Sequence, residues 1–180
     1  MYKDASELMS QCKEQNKRIW QIAVENEMKL TSSSYEDILS RFDDRLEIMF
    51  HSAQKALNAK QATKGGLIDG VAKTQYDYSK KENISGRYIN YVMSLAYSCS
   101  EVNASMGKIC ASPTAGSCGI VPAVLLGLSQ AKNISREKTL EGLITASAVG
   151  AIYTKNATVA GADGGCQAEC GVARSMAAAA

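Results

Sequence analysis

The sequence predicts an all-α fold, a single helical domain of about six to eight helices, over its 180 residues. Apolar residues recur every three or four positions through most of the chain, which is the period of an amphipathic helix. The two prolines and two phenylalanines do not fit the composition of a β-sandwich. Hydrophobic residues make up 46% of the chain, a proportion that argues against wholesale disorder.

The first half of the chain is predicted to form amphipathic helices. Short helices are expected near residues 6–12 and 17–28, and a long helix at about 35–58 begins where Ser33 and Glu36 have capping-box spacing. After the breaker at residues 63–66, a helix is expected over 68–78. One more helix, capped by residues 83–85, is predicted to carry an apolar face made of Ile89, Val92, Met93, Ala96 and Tyr97.

The second half is richer in glycine and poorer in charge, since 27 charged residues precede position 101 and 11 follow it. A helix over about 120–131 tolerates Pro122 in its first turn. Ser135 is predicted to cap a helix ending near Tyr153, and a Gly-rich loop over 160–165 leads to a last helix opened by Cys166. That helix ends in four alanines without a C-cap, so we expect domain 1–180 to be incomplete at its C-terminus.

Composition excludes several classes of protein. Twenty basic and 18 acidic side chains give a net charge of +2, which argues against a nucleic-acid partner. No apolar run is long enough to span a membrane. The six cysteines occur in a chain too long for a small disulfide scaffold, and residues 1–10 do not resemble a signal peptide. We therefore expect reduced thiols and a cytoplasmic protein.

The segment 110–119, CASPTAGSCG, is a small-residue loop at the predicted start of a helix. Exposed backbone N–H groups and the positive end of the helix dipole favour an anion there, and Ser112, Thr114 and Ser117 add hydroxyl donors. A carboxylate or a phosphate would suit this loop. A close crossing of two helices would also require small residues, and the lysine of a P-loop is missing.

The segment 161–170, GADGGCQAEC, places a thiol after two glycines at a helix start, which suits a metal ligand, a nucleophile or a redox thiol. Four-residue spacing puts Cys166 and Cys170 on one helical face. Several cysteines, Cys12 and Cys99 in particular, are expected to be ordinary buried residues. The only histidine, His51, is expected to have a structural role, and the lysines nearest the two loops are Lys108 and Lys155.

Together these motifs resemble the α chain of the bacterial iron–sulfur L-serine dehydratases. The resemblance is carried by residues 101–107, 110–122, 156–157 and 161–171. It implies removal of water and then ammonia from L-serine to give pyruvate, without pyridoxal phosphate. It also implies a [4Fe–4S] cluster held by three cysteines, with an open iron acting as a Lewis acid on the serine hydroxyl.

By the same resemblance, Cys166 corresponds to the first cluster ligand. The loop that holds the substrate carboxylate corresponds to Ser112, Thr114, Ala115, Gly116 and Ser117, and Asn156 and Gln167 are expected beside the site. Both Gly-rich loops should then meet at one cleft, with Cys166 close to residues 114–117. The implied partners are L-serine and a β chain, in a homo- or hetero-oligomer.

The sequence also departs from the family pattern. Cys170 and Cys118 stand where small residues are expected, and the other two ligand cysteines of the family do not occur in these 180 residues. We therefore expect the chain alone to be inactive. Two alternatives stay open: a non-catalytic module that docks a partner through its small-residue face, and a zinc or redox protein that uses Cys166 and Cys170.

Overall fold

The computed structural model describes residues 2–180, and within that range it contains eight α-helices and no strand, as predicted. The helices are α1 (Ala5–Gln15), α2 (Ile19–Thr31), α3 (Tyr35–Lys55), α4 (Val71–Ser79), α5 (Arg87–Ala104), α6 (Ile120–Lys132), α7 (Arg136–Asn156) and α8 (Gly161–Ala179). A single 3-10 turn, Ala115–Ser117, lies between α5 and α6. Across the described residues, no helix combines the length and apolar character needed to cross a membrane.

The central helix is α6, which contacts α3, α5, α7 and α8. Its sequence is apolar on almost every face, and such a helix is stable only when it is surrounded by other elements. The largest core cluster combines α3, α6, α7 and α8 and contains Leu46, Met49, Val121, Leu125, Leu143, Ala146, Val172, Met176 and Ala177. The loop that precedes α6 therefore leads directly into a helix of the largest core cluster.

A polar seam joins the end of α3 to the middle of α5. The Ser98 hydroxyl donates to the carbonyl of Ser52 at 2.7 Å and accepts from the backbone N–H of Ala56 at 3.0 Å. Beside it, the Cys99 thiol lies 3.5 Å from the hydroxyl of Ser52. Cys99 is fully buried and Cys12 is 8% exposed, so the prediction that both are buried thiols is confirmed.

The N-terminus of α4 is capped by a side chain from another helix. Gly70 precedes α4 and has no side chain with which to cap it. Instead, the fully buried Glu101 of α5 accepts a hydrogen bond from the backbone N–H of Ala72 at 2.7 Å. A carboxylate at this end of a helix is stabilised by the helix dipole, so Glu101 joins α4 to α5 through the interior.

Two predicted helix starts are wrong in detail. The capping box of α3 uses Ser34 and Asp37 rather than Ser33 and Glu36: the Ser34 hydroxyl accepts from the backbone N–H of Asp37 at 3.1 Å. Residues 83–85 do not cap α5, which begins after Gly86 at a positive φ of 81°. The sequence pattern identified each helix but not the residue at which its backbone becomes helical.

The buried face of α5 also differs from the prediction. Ile89 and Met93 are 52% and 38% exposed, whereas Asn90 and Ser94 are buried. The reason is the packing of α4 against this face, where the side-chain amide of Gln75 donates to the side-chain oxygen of Asn90 at 2.7 Å. Hydrogen bonding between the two helices therefore buries polar residues of α5 that its apolar sequence pattern places at the surface.

Candidate functional site

The loop between α5 and α6 is held by its own hydroxyl and backbone groups. The Ser117 hydroxyl donates to the carbonyl of Ser112 at 3.2 Å, and the side-chain amide of Asn103 on α5 donates to the carbonyl of Ala115 at 3.3 Å. Ser112 and Ser117 are buried, whereas Thr114 is partly exposed. Hydrogen bonds from Ser117 and Asn103 therefore hold the loop, and the partly exposed Thr114 can contact a neighbouring element.

That neighbouring element is the start of α8, which is bent. The predicted loop over residues 160–165 is wrong in part, because the backbone N–H groups of Asp163 and Gly164 already donate to the carbonyl of Ala160 in a helical turn. The helix breaks at Gly165, whose φ of 70° and ψ of 179° favour glycine. Cys166 begins the regular part of α8, as the sequence predicts.

Glu169 joins the loop to α8 and is not among the site residues predicted from the sequence. The hydroxyl of Thr114 donates to Oε1 of Glu169 at 2.5 Å. A Cβ on Gly116 would lie 2.9 Å from Oε1, and a Cβ on Gly161 would lie 2.4 Å from Oε2. A side chain at either position would therefore displace this carboxylate, which lies against the two Gly-rich segments.

One signal in the sequence could have indicated Glu169. The second Gly-rich segment is poor in charge, and Glu169 stands three residues after Cys166, one turn along the same helix. Among residues 2–180, no lysine, arginine or histidine pairs with its carboxylate. The anion that contacts the loop in this structure is thus a side chain of the protein itself, and it makes the site attractive to cations.

Cys166 and Cys170 lie side by side on α8. Their Sγ atoms are 3.5 Å apart, with Cys166 exposed and Cys170 partly buried. The hydrogen bond with Cys166 raises the pKa of Cys170, and burial and the charges of Cys166 and Glu169 raise it further, against the opposing effect of Arg174. The four-residue spacing therefore brings the two thiols together, as predicted.

Two cavities lie behind the loop and share Ser112 and Met176 among their walls. One has a volume of about 330 Å³ and is lined in part by Arg41, Arg45 and Cys110. The other has a volume of about 560 Å³. The hydroxyl of Ser112 is buried and has no hydrogen-bond partner among the described residues. Burial raises the pKa of Cys110, and the charge of Arg45 opposes this effect.

Comparison with known proteins identifies the family. The family model described as "Serine dehydratase alpha chain" matches residues 14–180. This chain belongs to that family. The serine dehydratase alpha-chain family is thus represented here over nearly all of the sequence, including both Gly-rich segments.

Individual relatives of the serine dehydratase alpha-chain family agree with this assignment. The chain is 42% identical over 181 residues to the "L-serine dehydratase, alpha chain" of Peptoniphilus asaccharolyticus, covering all of this chain and 62% of the relative. It is 38% identical over 180 residues to the "Probable L-serine dehydratase, alpha chain" of Bacillus subtilis (strain 168), covering all of this chain and 60% of the relative. It is 32% identical to "L-serine dehydratase 1" of Escherichia coli (strain K12), covering 99% and 40%. The chain therefore spans about three fifths of the length of the first two relatives.

The thiols can be tested against the cluster that the family resemblance implies. An iron–sulfur cluster requires three or four thiolates from protein. Within residues 2–180, no group of three or more histidine, cysteine or acidic side chains is close enough to hold a metal ion. Cys99 and Cys118 are buried elsewhere in the core. The described residues therefore do not form a whole cluster site by themselves.

The remaining predicted site residues lie at the surface. The side-chain amide of Asn156 donates to the carbonyls of Ile152 and Lys3, each at 2.8 Å, and so ties the end of α7 to the N-terminal segment. The side-chain oxygen of Gln167 accepts from Arg174 at 3.2 Å. Neither side chain has a hydrogen bond to residues 112–117 in the described structure, and their place beside the substrate stays a prediction.

Proposed function

We propose that this chain is the alpha chain of an iron–sulfur L-serine dehydratase, which converts L-serine to pyruvate and ammonia. The observation that carries the proposal is the contact of Thr114, Gly116 and Gly161 with the carboxylate of Glu169, one helical turn from Cys166. Membership of the serine dehydratase alpha-chain family supports L-serine as the proposed substrate of this arrangement.

The two ends of the amino acid are assigned to different groups. The carboxylate of L-serine would bind at the start of α6, where backbone N–H groups and hydroxyls converge and the helix dipole is positive. The residues proposed for this role are Ser112, Thr114, Ala115, Gly116 and Ser117. The ammonium group would face Glu169, whose carboxylate has no cationic partner in the described chain. Asn156 and Gln167 are proposed as outer neighbours of the substrate.

Cys166 is proposed as the ligand that this chain contributes to a [4Fe–4S] cluster. It is exposed and follows the bend at Gly165, so a cofactor could approach it from solvent. At least two further thiolates would have to come from outside the described residues. The proposal therefore includes a beta chain and an oligomeric enzyme, in a reducing compartment such as the cytoplasm.

Reconstitution tests this proposal. The chain is incubated anaerobically with iron and sulfide, alone and after co-expression with its beta chain, and pyruvate formation from L-serine is measured. We expect no turnover by the chain alone and turnover by the assembled enzyme that Cys166→Ser abolishes. Cys110→Ser is the matched control, because this thiol lies outside the α8 pair. Turnover by Cys166→Ser would overturn the ligand assignment, and an assembly that never acts on L-serine would favour a partner-docking module.

A further inference from the structure

We propose that a cavity between α4, α5 and α6 binds a nucleoside monophosphate. The cavity lies where α5 begins and α6 ends, and its volume is about 430 Å³. Small-molecule sites in proteins typically have volumes of about 300–1,000 Å³. Three aromatic rings, two cations and one amide line it, contributed by Tyr76, Tyr88, Tyr91, Lys80, Arg87 and Gln130.

This cavity is separate from the proposed serine site. Helix α5 runs from the cavity to the loop at residues 110–119, and α6 runs back from that loop to the cavity. At about 1.5 Å per residue, the part of α5 from Tyr91 to Ala104 spans roughly 20 Å. Neither Gly-rich segment contributes a residue to the cavity lining. The inference therefore goes beyond the dehydratase proposal and does not depend on it.

The three tyrosine rings provide an aromatic surface for a base. The ring centroids of Tyr76 and Tyr91 are 6.0 Å apart, and the two ring planes are inclined at 51°. Tyr88 is 41% exposed, so much of its side chain is accessible. Nucleobases stack on aromatic side chains because every base has a π face. The hydroxyl of Tyr91 donates to Oε1 of Gln130 at 2.6 Å, which leaves the NH₂ group of that amide available to donate to the edge of a base.

The charges at the cavity favour a phosphate group. Arg87 is exposed and forms no ion pair within the described chain, and no acidic side chain lines the cavity. Nζ of Lys80 lies 3.8 Å from the centroid of the Tyr76 ring and 3.4 Å from Oδ1 of Asp77. Because Asp77 also pairs with Lys73, one carboxylate serves two ammonium groups and a positive charge remains in excess.

These two features select a ligand that has both a ring and an anion. A guanidinium binds phosphate through parallel N–H donors, and an ammonium group adds a point charge. Arg87 and Lys80 would hold the phosphate, while the tyrosine rings stack on the base. A free phosphate would leave the rings unused, and a neutral aromatic compound would leave the cations unused. A nucleoside monophosphate uses both.

Calorimetric titration of the 180-residue chain with AMP tests this inference. We expect one AMP per chain with a Kd below about 1 mM. Adenosine, which lacks the phosphate, and ribose 5-phosphate, which lacks the base, should each bind about tenfold more weakly or less tightly still. Failure of AMP to bind would overturn the inference. So would either partial ligand binding as tightly as AMP, because the site would then not require both ring and charge.

Two substitutions test whether AMP binds in this cavity. Arg87→Gln removes the unpaired charge and Tyr88→Ala removes an accessible ring, so each should weaken AMP binding about tenfold. The matched controls are Lys81→Gln and Tyr78→Ala, which change exposed side chains outside the cavity lining and should bind AMP as the parent chain does.

Circular dichroism verifies that all four variants are folded. AMP binding that is unchanged in both Arg87→Gln and Tyr88→Ala would overturn the assignment to this cavity. Since no step of the measurement involves L-serine, failure of the dehydratase proposal would leave this result unaffected.

Discussion

The interior of α5 and the first turns of α8 each carry a glutamate and a cysteine, but in opposite surroundings. Glu101 and Cys99 are fully buried, and each contacts a group of the fold itself, the N–H of Ala72 and the hydroxyl of Ser52. Glu169 is partly buried and lies against both small-residue segments, and Cys166 is exposed. The same chemical groups therefore stabilise the fold in one region and are available to ligands in the other.

This difference follows from desolvation. A buried polar group must keep its partner, because losing that partner leaves an uncompensated group in the interior. A surface group retains water when its partner is lost, so it can exchange that water for a ligand. Substitutions in the two regions should therefore separate effects on stability from effects on binding.

The largest expected effect concerns Glu169 and the recognition of the amino group. In the assembled enzyme, Glu169→Gln should weaken L-serine binding about a hundredfold, because it removes the charge proposed to face the ammonium group. Binding of 3-hydroxypropionate, which is serine without its amino group, should change little. Calorimetry with both ligands measures this selectivity. Equal losses for the two ligands would place the ammonium group elsewhere.

A smaller effect is expected on the other carboxylate. Glu101→Ala leaves the Ala72 N–H without its partner and should lower the free energy of unfolding by about 2 kcal/mol. Glu169→Ala should lower it by about 1 kcal/mol or less, because that carboxylate is only partly buried. Urea denaturation of the two variants measures both values. A Glu169→Ala variant as unstable as Glu101→Ala would remove the distinction between the two regions.

The smallest effect is the pH dependence that the buried thiols confer. Burial raises the pKa of Cys99 to about 12 and that of Cys118 to about 11. Because these folded-state values exceed the unfolded value near 9, the thiols stabilise the fold below that pH. The stabilisation is lost as the pH rises above the unfolded value near 9 toward the folded values of about 11 and about 12.

Urea denaturation between about pH 8 and pH 10.5 measures this loss, an interval chosen to begin below the unfolded thiol pKa. Removing one of the thiols, as in Cys99→Ala, should make the loss shallower by up to about 1.4 kcal/mol per pH unit, the contribution of a single proton. Parallel pH profiles for the parent chain and Cys99→Ala would show that Cys99 does not cause the alkaline loss.

Sequence periodicity predicted the helices well because it is a local property. The cap of α7 at Ser135 is confirmed by a hydrogen bond from the backbone N–H of Lys138 at 3.3 Å, and α6 ends one residue after the predicted position. The buried face of α5 was not predicted, since it depends on polar contacts with α4. The local periodicity of the sequence therefore predicts where the helices lie, whereas contacts between helices determine which of their residues are buried.

The candidate site divides in the same way. The approach of Cys166 and Cys170 follows from their spacing on one helix, so the sequence predicted it. The contact between Thr114 and Glu169 joins residues 55 positions apart, and no periodic pattern reports such a pair. Residue type indicated an anion at the loop, but only the tertiary structure identifies the protein's own carboxylate there.

The bend at Gly165 has a practical consequence for chemical synthesis. Gly165 is followed directly by Cys166, and a glycine thioester joined to an N-terminal cysteine is a favourable pair for peptide ligation. The positive φ of Gly165 would also suit a D-amino acid, whose backbone preferences mirror those of an L-residue. A synthetic peptide covering residues 166–180 could therefore be attached to a recombinant 1–165 segment. Isotopes or a selenium atom could then be placed at the cysteine position alone, where spectroscopy would report directly on whatever binds there.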